Sequence, residues 1–222
     1  MSTLLRRGDG RISFEEFSAA VTTNGYPEPS HSTYWAFLNS ARNFSIFEKQ
    51  ELAMILAHFI HESKGFVERR EEVDMESYPE SYRDAECDVP GQLYYGRGYF
   101  KITGCKNYRD ISMSLYNDDK LVKEPELLAE DDETAINAGF SFWKTNVHDQ
   151  PGVQDGQFGV TTNVIKGALE CKGPNIPIAK RRFEIYEKVR TAFKLKGKAI
   201  EGGCYELSEF LKLASNSKEP KD

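Results

Sequence analysis

Two glutamates, Glu62 and Glu71, lie nine positions apart in HFIHESKGFVERREE, and a glycine-punctuated aromatic stretch, YYGRGYFKITGCKNYR, follows after a polar interval. Paired carboxylates across a cleft are the minimum apparatus for cutting a glycosidic bond: one donates a proton to the leaving oxygen and the other activates water. Tyr94 and Tyr95 either supply flat apolar surface suited to a pyranose face or pack in the core. His58, His61 and Glu62 suggest a metal cluster, but HFIHE matches neither HExxH nor HxxEH and a further ligand is missing, so no metal is expected. The glycines of YYGRGYF are not followed by Gly-Lys-Ser/Thr, and acid/base chemistry needs no cofactor.

These residues need elements to hold them. Ser45-Ile46-Phe47-Glu48 reads as a capping box, Leu52, Ile55, Leu56, Phe59 and Ser63 recur at three- and four-residue steps, and Gly65 stops the pattern, which predicts a buried amphipathic helix over 46–64. Glu62 falls in its last turn, where the negative end of the helix dipole and apolar packing both raise a carboxyl pKa. That environment suits a general acid. Residues 67–90 are polar and interrupted by Pro79 and Pro90, a long loop over a cleft. YYGRGYFKIT predicts a turn into a short strand, and further helices are expected over 106–116, 132–146, 159–169 and 176–195. Ser13 and Glu16 mark another helix start. The surrounding DGRISFEEF imitates half of an EF-hand, but Leu5 and Arg7 offer no side-chain oxygen at the first loop positions, so calcium is not expected.

The 222 residues fit one domain: a leader over 1–10, a catalytic domain over 11–205 and a solvated tail over 206–222 in which 206–213 forms at most a helical turn. No apolar run approaches the length needed to cross a bilayer. A net charge of -6 without a basic stripe argues against nucleic acid or an anionic membrane as partner and favours an uncharged polymer, and a monomer is expected. The opening MSTLLRRGDG lacks the apolar core of an export signal, so the expectation is a trimmed protein that is secreted or associated with a cell wall. Arg7-Gly8-Asp9 is read as accidental, and Asn43-Phe44-Ser45 is a glycosylation sequon if the chain is secreted. Four cysteines without a CxxC pair point to disulfides.

The order of HFIHES, YYGRGYFKIT, FSFWKTN, GQFGVTTNVIKGALEC and KRRFEIYEK resembles glycoside hydrolase family 19, the chitinases, over roughly residues 12–205. The resemblance implies a mainly α, lysozyme-like domain with two lobes around a long cleft and little β structure. It implies hydrolysis of β-1,4-linked N-acetylglucosamine polymers with inversion, with chitin or chitooligosaccharides as partner. Glu62 matches the general acid. Glu71 matches the base that some loop-poor members carry nine residues later, with Glu72, and less so Glu68, Glu76, Glu80 and Glu86, as competitors. Inversion needs the two carboxyl groups about 6.5–9.5 Å apart so that a water fits. Thr103 occupies the position of a serine whose hydroxyl helps hold that water.

His61, Lys101, Asn107, Lys166 and Arg182 fall by the same likeness along the sugar-binding surface, with Tyr95 beside them for its aromatic face, and His61 either orients the cleft or fills the helix interface. Glu170 and Arg182 match a charged pair that stabilises it, with Arg182 holding Glu71 or Glu170 ionised. Cys171 and Cys204 match a structural bridge, whereas Cys87 and Cys105 either pair with each other or remain free. The chain departs from the pattern where Lys101 replaces a sugar-binding glutamine, Lys166 a sugar-binding asparagine and Tyr99 a proline. A lysine is longer, charged and lacks an acceptor, so sugar contacts should differ. Two other readings compete: a lysozyme-like enzyme cutting peptidoglycan, and a chitin-binding protein that has lost catalysis.

Overall fold

Ser13 accepts a hydrogen bond from the Glu16 amide while Glu16 reaches back to the Ser13 amide, and this reciprocal cap opens α1 (Phe14–Thr22) as the sequence predicts. The structure, a computed structural model, describes residues 12–74 and 77–205. The leader, the C-terminal tail, Arg7-Gly8-Asp9, Leu5 and Glu76 lie outside the described residues. Helices α2 (His31–Asn43), α3 (Lys49–Ser63), α4 (Cys105–Tyr116), α5 (Lys120–Lys123), α6 (Asp132–Asn146), α7 (Phe158–Glu170) and α8 (Ile176–Ala192) complete a mainly α fold.

α3 is the axis of the molecule. Every residue from Leu52 to Ile60 is buried, so this helix is enclosed on all sides, as a central helix must be. It packs against α8 and α6, while α2 lies on α6 and α1 on α8. Phe59 of α3 meets Phe37, Phe100 and Phe140 from three other segments. α6 can approach only because residue 139 is glycine; a Cβ there would stand 2.5 Å from the Phe59 ring. Glu51, buried in the first turn of α3, accepts from Trp143 Nε1 and from His148 Nδ1, both at 2.7 Å, which fastens α3 to the end of α6 with a polar link.

Three details differ from expectation. The Ser45 cap does not form: Ser45 adopts φ 55, and α3 starts three residues late with Glu48 as N-cap. YYGRGYFKIT gives no strand, only isolated antiparallel bridges from Arg97 to Arg70 and to Ile102. α2 is a helix whose start signal is not among those named above. Its signals are the Ser30 side chain accepting from the Thr33 amide and the buried spacing Tyr34, Phe37, Ala41.

Candidate active site

α3 ends where Lys64 takes the left-handed conformation at φ 50, its amide bonding the Ile60 carbonyl, and this stop leaves Glu62 in the final turn with its side chain 11% exposed. Behind it stands Arg182 of α8, 1% exposed. Arg182 donates Nη2 to Glu62 Oε1 at 2.5 Å and binds Glu170 of α7 twice, Nε to Oε2 at 2.7 Å and Nη2 to Oε1 at 2.8 Å. One guanidinium thus joins α3, α7 and α8, and it holds Glu62 and Glu170; Glu71 is not its partner.

The electrostatic consequence corrects the expected pKa. Burial raises the Glu62 carboxyl, but the charges of Arg182 and Lys166 together with the Arg182 hydrogen bond outweigh it and hold the group below its ordinary 4.5. A helix dipole carries about half a charge at its end, whereas the guanidinium brings a full charge into contact. His61 is pushed down to about 4 by burial and by Arg182, so its imidazole is neutral near pH 7. Arg182, being buried, positions Glu62 and has no surface for a sugar.

His58 is fully engaged. Its ring stacks on Phe158 at 4.8 Å, Nε2 lies 2.8 Å from Thr161 Oγ1, and Nδ1 faces Arg182 Nη1 at 3.4 Å. Thr161 spends its proton on the Phe158 carbonyl, so it accepts from His58 Nε2–H, and Nδ1 is left to accept from Arg182. Burial and then Arg182 keep this imidazole well below 6.5, hence neutral.

Glu71 comes from the loop that follows α3. Its amide donates to the Gly96 carbonyl at 2.8 Å, the Gly96 amide returns a bond to Glu71 Oε2 at 3.0 Å, and Tyr82 Oη donates to Glu71 Oε1 at 2.8 Å. Burial and then Glu71 push the Tyr82 phenol up to about 12, so it stays a donor. Among the competing acids, Glu68 pairs with Lys64 and Glu80 with Arg83, while Glu72 is exposed. Tyr82 was not singled out in the sequence; a tyrosine eleven positions from its partner in an irregular loop carries no periodic signal.

Glu62, Glu71 and Thr103 line one open cleft of about 260 Å³. Its remaining charged lining comprises Glu68 and Glu72 against Lys64, Arg70, Lys101 and Lys166, so four carboxylates face four cations. A smaller adjoining recess of about 140 Å³ shares Lys101, Thr103 and Lys166 and runs on to Asn107, Phe142 and Ile165. Thr103 Oγ1 donates to the Lys101 carbonyl at 3.0 Å and Asn107 Nδ2 to the Thr103 carbonyl at 2.7 Å. Lys166 stands at a kink in α7, where φ -142 and ψ 16 break the helix. Lys101 turns its ammonium to the loop, onto the carbonyls of Glu68 and Arg70.

Tyr95 is not a sugar platform. It is 7% exposed, its hydroxyl donates to Glu126 Oε1 at 3.1 Å, and the Arg97 guanidinium covers its ring at 3.6 Å. Tyr94 is wholly buried and bonds the Val122 carbonyl. The apolar surface of the recess comes from Phe100, Ile102, Phe142 and Ile165. Two disulfides frame the site: Cys171–Cys204 ties the end of α7 to the segment after α8, as the resemblance implies, and Cys87–Cys105 ties the long loop to the first residue of α4. That second pairing resolves the choice the sequence left open.

The fold matches a solved bacterial family 19 chitinase with a TM-score of 0.66 and 27% identity, over 84% of this chain and 97% of that one, and is therefore lysozyme-like. The family model described as chitinase class I, glycoside hydrolase family 19, matches residues 11–158, and the chain belongs to that family. Chitinase 4 of Oryza sativa subsp. japonica is 31% identical over 174 residues, which are 74% of this chain and 59% of that protein. A protein of Arabidopsis thaliana termed an inactive endochitinase is 34% identical over 143 residues, 63% of this chain and 50% of its own. The chain spans about half to three-fifths of the length of the curated relatives it matches. Lys166, Glu170, Arg182 and Cys204 lie beyond the matched family segment.

Proposed function

We propose that this protein hydrolyses β-1,4-linked N-acetylglucosamine polymers with inversion, Glu62 acting as general acid and Glu71 as general base. The observation that carries the reading is that Glu62, from a helix end, and Glu71, from a separate loop, open into the same cleft beside the Thr103 hydroxyl. Two carboxyl groups with different surroundings can take opposite roles on one glycosidic bond. Glu71 is oriented at both oxygens and activates water, and Thr103 helps to hold that water.

A general acid must carry a proton, and Arg182 opposes this in the free protein. A sugar filling the cleft removes water from Glu62 and so favours its neutral form. Arg182 then keeps its two-bond partner Glu170, and the carboxylate that Glu62 becomes after protonating the leaving oxygen is stabilised by the same guanidinium. The two disulfides support an oxidising, extracellular setting.

A second reading, a chitin-binding protein without turnover, is favoured by the inactive relative and by lysines at positions 101 and 166. Product formation from chitin oligomers, with Glu62→Gln as control and peptidoglycan as a second substrate, separates the readings. Turnover of chitin oligomers that disappears in Glu62→Gln, with binding retained, is expected. Binding without turnover in the unmodified protein, or cleavage of peptidoglycan alone, would overturn the proposal.

A further inference from the structure

Lys101 adopts φ 49, a left-handed conformation that a residue with a side chain enters only at a cost. What holds it there is visible at both of its ends. The ammonium donates to the carbonyls of Glu68 at 2.9 Å and Arg70 at 3.1 Å, and Arg70 immediately precedes Glu71. The backbone carbonyl of Lys101 accepts the Thr103 hydroxyl at 3.0 Å, and its amide bonds the Gly98 carbonyl. Its stem also crosses beside Gly96, close enough that a Cβ on that glycine would stand 3.2 Å from Lys101 Cβ.

We infer that Lys101 is a positioning residue that sets Glu71 relative to Thr103, gripping the segment of the base with its ammonium and the water-orienting hydroxyl with its carbonyl. The inference rests on the assignment of Glu71 as base given above. A glutamine, which the resemblance places here as a sugar contact, has a shorter side chain and only one pair of donor hydrogens. The lysine reaches across to the loop, so a sugar contact is exchanged for a contact that fixes catalytic geometry. The bond to the Arg70 carbonyl is solvent-exposed and that to the Glu68 carbonyl part-buried, so loss of the ammonium leaves one acceptor to water and costs at most part of one hydrogen bond at the other.

Lys101→Met keeps the apolar stem and removes the donors. Its kcat on chitin oligomers is expected to fall about 10- to 100-fold, since small misplacements of catalytic groups cost that much, with KM within about twofold and an unchanged unfolding midpoint. Lys101→Leu, which also lacks donors, gives the same split should the methionine variant fold poorly. A raised KM with unchanged kcat would show that Lys101 binds sugar instead, and unchanged kcat and KM would show that Glu71 is held without it. Glu71→Gln is measured in parallel: full turnover there sinks the base assignment and this inference with it, whereas an inactive Glu71→Gln beside a fully active Lys101→Met sinks this inference alone.

Discussion

Glu71 and Gly96 are hydrogen-bonded to each other twice, the Glu71 amide to the Gly96 carbonyl and the Gly96 amide to Glu71 Oε2. The first bond fixes the backbone of the loop and the second fixes the carboxylate on it, so Glu71 is held at two points by one residue. A Cβ at position 96 would lie 2.9 Å from Glu71 Oε2, so a side chain there would push the carboxylate from its place. Gly96→Ala is expected to lower kcat on chitin oligomers by about tenfold or more through displacement of that carboxylate, with the fold retained. Steady-state kinetics beside a thermal melt tests it, and wild-type kcat would show that the carboxylate tolerates being moved.

The depressed Glu62 pKa makes a claim about stability against pH. A carboxyl whose folded value lies below its unfolded value contributes stability that is fully present above the unfolded value, here the ordinary 4.5, and is lost as pH falls through the lower folded value. Glu62→Gln lacks that contribution. Urea unfolding over a pH series should therefore show the advantage of the wild-type chain over Glu62→Gln shrinking as pH drops below 4.5. An advantage that stays constant or grows would contradict the ion pair.

Both disulfides close long loops, with sequence separations of 18 for Cys87–Cys105 and 33 for Cys171–Cys204. Chain entropy assigns each about 3–4 kcal/mol, and the larger loop only about 0.5 kcal/mol more than the smaller because the dependence is logarithmic. Removing either pair by serine substitution should lower the unfolding free energy by similar amounts in denaturant titration. Peptide mapping without reductant should recover these two pairs and no others.

Inversion is read from the product. Early in the hydrolysis of a chitin oligomer, proton NMR should show the α-anomer, because the base-activated water attacks the face opposite the leaving group. A β-anomer that appears first and then mutarotates would require Glu71 to be reassigned.

The helical parts of the fold were legible because burial has a period. α4, α6, α7 and α8 start and stop within a few residues of where their spacing places them. The Ser45 cap failed for a local reason: Ile46 is drawn into the core with its amide on the Ala41 carbonyl, and Ser45 is turned to positive φ in doing so. For the candidate site, Glu62, Glu71 and Thr103 could be picked out by position and do share a cleft. Arg182 is expected as the partner of Glu170, and that pair forms, but its bond to Glu62, 120 residues away, and the bond from Tyr82, in a single 3-10 turn of the long loop, are written in no local pattern. For Tyr95 the sequence leaves a sugar platform and core packing open, because an aromatic residue beside glycines gives no sign of an arginine lying over its ring, and the structure packs it.

The burial of Arg182 separates two kinds of charge effect by their response to ionic strength. Mobile ions screen exposed charges over about 8 Å at physiological salt but act far less on a buried pair. Lys64 and Arg70, whose side chains are 61% and 50% exposed, belong to the first kind, and the Arg182–Glu62 contact, 2% and 11% exposed, to the second. Added salt therefore fades the field that a charged glycan meets at the mouth of the cleft, and with it the share of the hold on Glu62 that comes from Lys166, while leaving the share from Arg182 almost untouched.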